Sequence, residues 1–227
     1  MSGWFIVIEG IDGCGSTTQV RRLATELRAR GRTVVTTCEP TAGPVGALIR
    51  QALRRQLGDS SGDQRSLDWA TLALLFAADR VDHNRTVIEP ALAREQIVIS
   101  DRYDLSSLAY QSATADSGSQ ALPWIRQLNS RARRPDLTVV LDVSAEVAGE
   151  RRLRRGANTE LFEVDELQRR LAAVYARAEE LVPGDRVCHV RGEASETAIL
   201  ADVLRGVDEV IGMGPAIAPP CQGTSNR

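Results

Sequence analysis

The chain has 227 residues, of which 43% are hydrophobic and 26% are charged, and its formal net charge is -2. These values fit one globular domain with an ordinary core, and they do not suggest a general binder of nucleic acid or of membranes. All 28 basic residues are arginines, so the chain contains no lysine.

Targeting and redox signals are weak. The start, "MSGWFIVIEG", lacks a basic segment before its apolar run, so we expect no signal peptide. No apolar run is long enough to span a bilayer. The cysteines are scattered at Cys14, Cys38, Cys188 and Cys221, with no C-x-x-C spacing. We therefore expect free thiols, no zinc and a cytoplasmic protein.

Short apolar runs alternate along the chain with segments of helical spacing. Strands are predicted at 4–8, 33–38, 97–100, 137–143 and 186–190. Helices are predicted at about 16–31, 46–57, 66–95, 104–115, 120–132, 145–156, 165–182 and 194–211. A break is expected before Pro90, since the residue before a proline disfavours helix.

This alternation predicts a five-stranded parallel sheet with helices on both faces, a three-layer α/β/α sandwich. We assign residues 1–211 to a single domain. The tail 212–227, "GMGPAIAPPCQGTSNR", is rich in Gly and Pro without periodicity, so we expect it to be disordered.

The stretch "FIVIEGIDGCGSTTQ" (residues 5–19) almost matches the phosphate-binding pattern G-x-x-x-x-G-K-[ST]. Gly10, Gly15 and Thr17 are in place, and Ser16 stands where the pattern has lysine. A glycine-rich turn that opens a helix directs backbone N–H groups at an anion, and Thr17 is placed to bind Mg²⁺. The alternative is an ordinary strand-to-helix turn capped by Ser16.

Polar residues follow two other strands, at the edge where parallel sheets bind ligands. Glu39 follows the second strand, and Asp101-Arg102 follows the third. Asp101 can hold magnesium or its water, and Arg102 can clamp a phosphate. The alternative is a helix cap with an arginine ion pair.

Two helices carry polar or aromatic groups at i, i+4 spacing. Phe76 could stack on a base while Arg80 bonds a base carbonyl, although spacing alone favours a core Phe and a surface Arg. Ser107 and Gln111 share another face, with Tyr110 adjacent, and could equally be scattered polar residues of a helix.

Basic residues at 151, 152, 154 and 155 precede a Gly-Ala-Asn-Thr stretch. A charge run is usually a solvated surface, but this one could belong to a loop that closes over a site. Arg50 is a further phosphate candidate, or part of a solvated helix face.

Together these blocks resemble thymidylate kinases of the bacterial and archaeal kind. The matching pieces are "FIVIEGIDGCGSTTQ", "EPTAGPVGALIR", "LLFAADRVDH", "ISDRYDLSSLAYQ", "RRLRRGANTELFE" and "VYARAEEL". They follow the family's order from residue 5 to about 182, and the weaker "VCHVRGEASETAI" extends the match to about 200. The resemblance implies a P-loop NTPase fold, ATP and dTMP as substrates, Mg²⁺, and a homodimer that binds neither nucleic acid nor membrane.

The resemblance also implies roles for individual residues. Asp12 would hold the acceptor 3′-OH, Glu39 would lie near magnesium and the acceptor, and Arg102 would contact the acceptor phosphate. Phe76 and Arg80 would bind thymine. The implied acceptor set is Asp12, Glu39, Arg50, Phe76, Arg80, Arg102, Ser107, Tyr110 and Gln111, in which Tyr110 excludes a ribose 2′-OH.

On the donor side, the implied ATP-binding set is Gly10, Ile11, Asp12, Gly13, Cys14, Gly15, Ser16, Thr17, Thr18 and Arg191. The metal ligands would be Thr17 and Asp101. Residues of about 150–163 would form a lid over ATP, which in one class of the family supplies catalytic arginine. The predicted catalytic set is Arg102, Arg151, Arg155 and Ser16.

Two positions depart from the family pattern. Ser16 replaces the lysine, and Cys38 stands where many relatives have Arg before the glutamate. Phosphoryl transfer depends mainly on positioning and charge neutralisation, so we expect a working kinase in which a lid arginine does part of the lysine's task. The alternatives are a non-catalytic nucleotide-binding paralogue, and a kinase for another deoxynucleoside monophosphate such as dUMP.

Overall fold

Five parallel strands form the centre of the molecule. The computed structural model describes residues 3–54, 57, 66–115, 118–154, 156 and 161–212, and at 119 and 161–165 it describes the backbone alone. The strands are β1 (Trp4–Glu9), β2 (Val34–Cys38), β3 (Ile97–Asp101), β4 (Leu137–Asp142) and β5 (Val187–Arg191). Their order in the sheet is β2-β3-β1-β4-β5. The predicted parallel sheet is confirmed.

Ten α-helices are found among the described residues. They are α1 (Ser16–Ala29), α2 (Pro44–Leu53), α3 (Trp69–His83), α4 (Glu89–Ala93), α5 (Asp104–Thr114), α6 (Leu122–Leu128), α7 (Ala145–Arg154), α8 (Leu161–Tyr175), α9 (Ala178–Leu181) and α10 (Glu196–Gly212). A 3₁₀ helix, Gly118–Ala121, precedes α6. In the described part of the chain, no helix is both long and apolar enough to cross a bilayer.

Side chains of β1 alternate between two apolar clusters, because successive residues of a strand point to opposite faces. Trp4, Ile6 and Ile8 join a cluster that includes residues of α1 and α10. Phe5 and Val7 join a second cluster with Ile88 and Leu92. The sheet is thus buried on both faces, as the P-loop NTPase fold requires.

Two of the predicted helices are each interrupted in the structure. Residues 66–95 contain α3 and α4, joined by a π-helical segment, Asn84–Ile88, so the change of helix before Pro90 is a widened turn. Pro90 lies in the first turn of α4, where no backbone N–H is needed. The single helix predicted at 165–182 is divided into α8 and α9 by a turn at 176–177.

The strand register brings the carboxyl ends of three strands together. Asp101 of β3 pairs with Ile8 of β1 on one side and with Cys38 of β2 on the other. Glu9, Glu39 and Arg102 each follow one of these paired residues directly, so they converge on one edge of the sheet. The predicted tail has only Gly212 among the described residues, where it ends α10.

Candidate active site

The loop between β1 and α1 keeps the backbone of a phosphate-binding loop. Gly10, Gly13 and Gly15 have φ angles of 150°, 97° and 100°, which residues other than glycine rarely adopt. A Cβ on Gly13 would lie 2.4 Å from the carbonyl oxygen of Ala148, so α7 can approach the loop only at glycine. The N-cap of α1 is Gly15, which has no side chain that could bond the N–H groups of the first turn. These N–H groups are therefore left for an anion.

Arginines of α7 reach the same loop. Arg151 donates from Nη1 to the carbonyl oxygen of Cys14 (3.1 Å) and from Nη2 to that of Gly192 (2.9 Å). Arg152 donates to the carbonyl oxygen of Asp12 at 2.6 Å. Two guanidinium groups therefore lie beside a loop whose own Ser16 is 8% exposed and carries no charge.

The other members of the predicted donor set are placed less closely. Arg154 points into solvent and pairs with Glu150, and Arg155 lies outside the described residues. Arg191 is exposed at the end of β5. Ile11 and Cys14 are buried in the core, and Thr18 is half-buried. Burial raises the pKa of the Cys14 thiol.

The predicted metal ligands meet at the mouth of the loop. The hydroxyl of Thr17 donates to Oδ2 of Asp101 at 2.5 Å. The other oxygen of Asp101, Oδ1, is buried and has no hydrogen-bond partner in the structure. A hydroxyl and a carboxylate suit Mg²⁺, which prefers oxygen and usually keeps few protein ligands beside phosphates and water. The residues present therefore fit the metal.

Arg102 lies across the cleft from the loop's helix. Its Nη2 donates to Oδ1 of Asp12 at 2.6 Å, and its Nη1 donates to Oγ of Ser106 at 3.1 Å. The guanidinium also lies 5.2 Å from the ring centre of Tyr110. The structure thus joins Asp12, Arg102 and Tyr110, which the sequence placed in one acceptor set.

Arg80 is the centre of a buried network. Its Nη2 donates to Glu39 (2.7 Å), to Ser107 (3.0 Å) and to the carbonyl oxygen of Tyr103 (3.1 Å). Nη1 donates to Asn129. Arg80 and Glu39 have side chains that are 1% and 2% exposed. The structure brings three members of the predicted acceptor set together beneath the cleft.

Glu39 is held from its other side by a histidine. Its Oε1 lies 3.0 Å from Nδ1 of His83, whose Nε2 lies 2.7 Å from the hydroxyl of Thr37. Both carboxylate oxygens of Glu39 are therefore engaged by protein groups. Its predicted place near magnesium stays a prediction.

The base-reading face is only partly assembled. Gln111 is buried with Oε1 lacking a hydrogen-bond partner, and the buried hydroxyl of Tyr110 lacks one too. Burial raises the pKa of the Tyr110 phenol, so that group stays protonated. Phe76 is half-buried on α3, one turn before Arg80. Buried polar atoms normally have partners, so Oε1 of Gln111 is available to a ligand.

A cleft of about 360 Å³ opens between these groups. It is lined by Asp12, Gly13, Gly15, Ser16, Thr17, Cys38, Glu39, Pro40, Arg50, Asp101 and Arg102. Arg50 donates to the carbonyl oxygens of Pro40 and Thr41, which turns its guanidinium toward this cleft. Predicted donor and acceptor residues thus share one cavity.

Sequence reasoning missed several residues that position the site. Asn129 and His83 hold the ends of the Arg80 network. Gln168 of α8 accepts from the backbone N–H of Asp12 at 3.1 Å. Glu9 ends β1 with no exposed surface and accepts hydrogen bonds from four groups. Glu9 could have been found in the sequence, because it is a carboxylate that ends an otherwise apolar strand.

A glycine-rich loop after the first strand, with a hydroxyl and a carboxylate beside it, defines a P-loop nucleotide-binding protein. Arg50 and Arg102 line the same cleft, where a nucleotide kinase would need a second group of cations. Residues 8–203 match the model of the thymidylate kinase family. The chain belongs to this family.

Relatives agree over most of the chain. A protein of Pyrococcus horikoshii named "Probable thymidylate kinase" is 40% identical over 214 residues, covering 94% of this chain and all of the relative. A "Probable thymidylate kinase" of Thermococcus gammatolerans is 38% identical, covering 92% and 98%. A "Thymidylate kinase" of Xanthomonas oryzae pv. oryzae is 38% identical, covering 90% and 87%.

Proposed function

We propose that the protein transfers the γ-phosphoryl group of ATP to dTMP, giving ADP and dTDP. The observation that carries this proposal is the shared cleft, in which the phosphate loop faces Arg102 and Arg50. A donor phosphate on the loop and an acceptor phosphate on the arginines would then meet in one cavity.

The donor side consists of the loop's N–H groups, Thr17, Asp101 and the arginines of α7. Mg²⁺ held by Thr17 and Asp101 would neutralise charge on the β- and γ-phosphates. The first turn of α1 orients the phosphate chain, and Arg151 adds positive charge beside Ser16. The adenine would lie near Arg191.

The acceptor side positions dTMP. Arg102 and Arg50 hold its phosphate, so that one phosphate oxygen attacks the γ-phosphorus while the bond to the β–γ bridging oxygen breaks and ADP leaves. Asp12 accepts from the 3′-OH, and Phe76 stacks on the base. Ser107, Tyr110 and Gln111 face the base edge and the sugar. Arg80, with Nε buried and unpartnered, lies at the thymine end.

The sequence left two other functions open, and the thymidylate kinase relatives favour neither of them. Ser16 favours a non-catalytic nucleotide-binding paralogue, because the loop lacks the usual cation. A kinase for another monophosphate, such as dUMP, would use the same arginines with a different base. The acceptor motifs of the sequence favour dTMP phosphorylation over both.

A coupled assay of ADP release distinguishes these functions. Purified protein is given ATP, Mg²⁺ and one of dTMP, dUMP, dCMP, dAMP or dGMP, with EDTA as the metal-free control. We expect release with dTMP above all other acceptors, and none with EDTA. Equal rates with dCMP and dTMP would reject the base assignment, and no release with any acceptor would support the non-catalytic paralogue.

Assembly and location extend the proposal. We infer a homodimer, as the family resemblance implies, and α3 supports it by presenting Leu74, Ala78 and Val81 to solvent at i, i+4 and i+7. We place the protein in the cytoplasm. The described cysteines Cys14, Cys38 and Cys188 are free thiols, which suits a reducing compartment.

A further inference from the structure

Glu9 is a buried carboxylate that has no role in the phosphoryl transfer proposed for this cleft. It ends β1, immediately before the phosphate loop, and has no exposed surface. Buried carboxylates are costly unless several donors bind them, so a fully buried glutamate next to an active site calls for an explanation.

Four groups from two elements bind this carboxylate. Oε1 accepts from the backbone N–H groups of Tyr103 (2.8 Å) and Ser106 (3.2 Å), at the beginning of α5. Oε2 accepts from the hydroxyls of Ser106 (2.6 Å) and Tyr175 (3.0 Å). One carboxylate thus joins the end of β1, the start of α5 and the last residue of α8.

These contacts surround Arg102. Arg102 has a φ angle of 70°, in the left-handed region that arginine rarely occupies. Its own N–H is held by the carbonyl oxygen of Ile8, and the next N–H, that of Tyr103, is held by Glu9. Its guanidinium donates to Ser106, whose hydroxyl donates to Glu9. Glu9 therefore acts on both the backbone and the side chain of Arg102.

The same carboxylate connects Arg102 to α8. The hydroxyls of Tyr175 and Ser106 lie 3.0 Å apart and both donate to Oε2 of Glu9. In the middle of α8, Gln168 accepts a hydrogen bond from the backbone N–H of Asp12, the residue that pairs with Arg102. Helix α8 thus contacts Asp12 directly and is linked to Arg102 through Ser106 and Glu9.

We propose that Glu9 is a positioning residue for phosphoryl transfer, which fixes Arg102 toward the acceptor phosphate through Ser106 and is tied to α8 by Tyr175. The proposal rests on the proposed function, because Arg102 is taken to contact the phosphate of dTMP. Two adjacent serines then serve different arginines, Ser106 orienting Arg102 and Ser107 orienting Arg80.

The test uses substitutions that remove single hydrogen bonds and keep shape: Glu9→Gln, Ser106→Ala and Tyr175→Phe. Glutamine offers one acceptor oxygen in place of two. Assays at pH 8 keep Glu9 ionised, since its pKa is raised by burial to about 7. The matched control is Ser112→Ala, whose hydroxyl bonds only backbone carbonyls of α5.

We expect Glu9→Gln and Ser106→Ala to lower kcat/KM for dTMP by about tenfold or more, because small displacements of a clamping group are costly in transfer reactions. KM for ATP should change by less than about twofold, because Arg102 is proposed to contact the acceptor and not ATP. Tyr175→Phe should act in the same direction by a smaller factor. The double variant of Glu9 and Ser106 should be about as slow as the slower single variant, since both act on one arginine.

Several results would overturn the proposal. These are near-control kcat/KM for dTMP in Ser106→Ala and Tyr175→Phe, equal losses for ATP and dTMP, or losses that multiply in the double variant. If Glu9→Gln does not fold, the other two variants still decide.

Failure of the proposed function is a separate result. It would appear as no dTMP-dependent ADP release by the unchanged protein. Calorimetric binding of dTMP without ATP would still report on Arg102 in that case. Dissociation constants that Ser106→Ala and Tyr175→Phe leave unchanged would then reject the role of Glu9.

Discussion

Ser16 stands where a phosphate loop has lysine, and the structure brings Arg151 and Arg152 to the carbonyl oxygens of the same loop. Arg151 is the better substitute, because its guanidinium bridges the loop at Cys14 and the turn at Gly192. A cation held at two points is preorganised for charge that develops on the phosphates.

Arg151→Ala should therefore lower kcat by about 10²-fold or more, the scale for removing one preorganised charge-stabilising donor. KM for dTMP should change little, since the contact forms mainly in the transition state. Steady-state kinetics with Arg154→Ala as the control measures this, because Arg154 is largely exposed and pairs only with Glu150 among the described ion pairs. Near-normal kcat in Arg151→Ala would exclude Arg151 as the substitute.

Ser16→Lys tests whether the two positions share one task. A new cation in the loop should make Arg151 less necessary, so the double variant should be faster than the two single effects predict. Independent, multiplying effects would show that the arginine and the missing lysine do different work.

Thr17 and Asp101 lie together at the mouth of the loop, joined by a hydrogen bond. Thr17→Ala should weaken the use of Mg·ATP, because one of two predicted protein ligands is lost. Binding of dTMP measured by calorimetry without ATP should stay near normal. A loss of dTMP affinity as large as the loss of ATP use would place Thr17 on the acceptor side instead.

Arg80 combines a predicted contact to thymine with a structural task. Arg80→Ala should lower kcat/KM for dTMP far more than it affects KM for ATP. It should also lower the free energy of unfolding by about 3–5 kcal/mol, because Glu39 would be left buried without its guanidinium partner. Urea unfolding and kinetics, with the exposed Arg94→Ala as control, separate the two effects. If Arg80→Ala leaves the kinetics with dTMP unchanged, Arg80 does not take part in base recognition.

At the scale of elements, α3 has two faces with different tasks. One face carries Arg80 and His83 into the buried network, and the buried Asp79 on it accepts two hydrogen bonds from Thr41. The other exposes Leu74 and Val81, which are 50% and 46% exposed. An exposed apolar stripe on a helix is typical of an interface between subunits.

Charging this stripe should separate the proposed dimer. Leu74→Arg with Val81→Arg should shift the mass found by sedimentation from two chains toward one, because like charges would face each other in a symmetric interface. Thr25→Arg, on the exposed side of α1, adds the same kind of charge elsewhere and should leave the mass unchanged. A protein that is monomeric without any substitution would contradict the homodimer.

For the whole molecule, Glu9 makes stability depend on pH. Its pKa rises from 4.5 to about 7 because burial disfavours the charged form, which outweighs the opposing effects of Arg102 and the hydrogen bonds. Arg102 and Tyr175 are the titratable side chains facing it, and burial raises the pKa of Tyr175 well above its usual range, so it stays neutral.

Between pH 4.5 and about 7 the folded chain binds more protons at Glu9 than the unfolded chain does. This group's contribution to the free energy of unfolding is therefore complete below pH 4.5 and is lost as the pH rises through about 7. The loss amounts to about 3–4 kcal/mol at most, on the scale of about 1.4 kcal/mol per unit of pKa shift. Glu9→Gln cannot titrate and should flatten this part of the profile.

Urea unfolding at pH 5 and pH 8 measures the slope for both proteins. We expect the unchanged protein to lose more stability over this interval than Glu9→Gln does. Parallel profiles would mean that the Glu9 carboxyl titrates alike in the folded and unfolded chains.

The sequence alone predicted the architecture, which the structure confirms, and it predicted the chemistry of the cleft, which stays a prediction. Apolar runs that alternate with segments of helical spacing specify a parallel sheet. They can be read from the sequence because the strand period and the helix period are local properties of the chain. The phosphate loop was equally readable, because glycines and a hydroxyl at fixed spacing form one continuous segment. Motif resemblance then identified Arg102, Thr17 and Asp101, and the structure places these residues in one cleft.

Only the tertiary structure decided which side chains hold the site in place. Glu9 and Tyr175 are 166 residues apart, and Arg80 and Asn129 are 49 apart, yet each pair is hydrogen-bonded. It also decided that Arg151, not the exposed Arg154, reaches the loop. Such contacts depend on the packing of α5, α7 and α8 on the sheet. No local pattern specifies them, because spacing along a chain fixes the face of a helix but not the residue that the face meets.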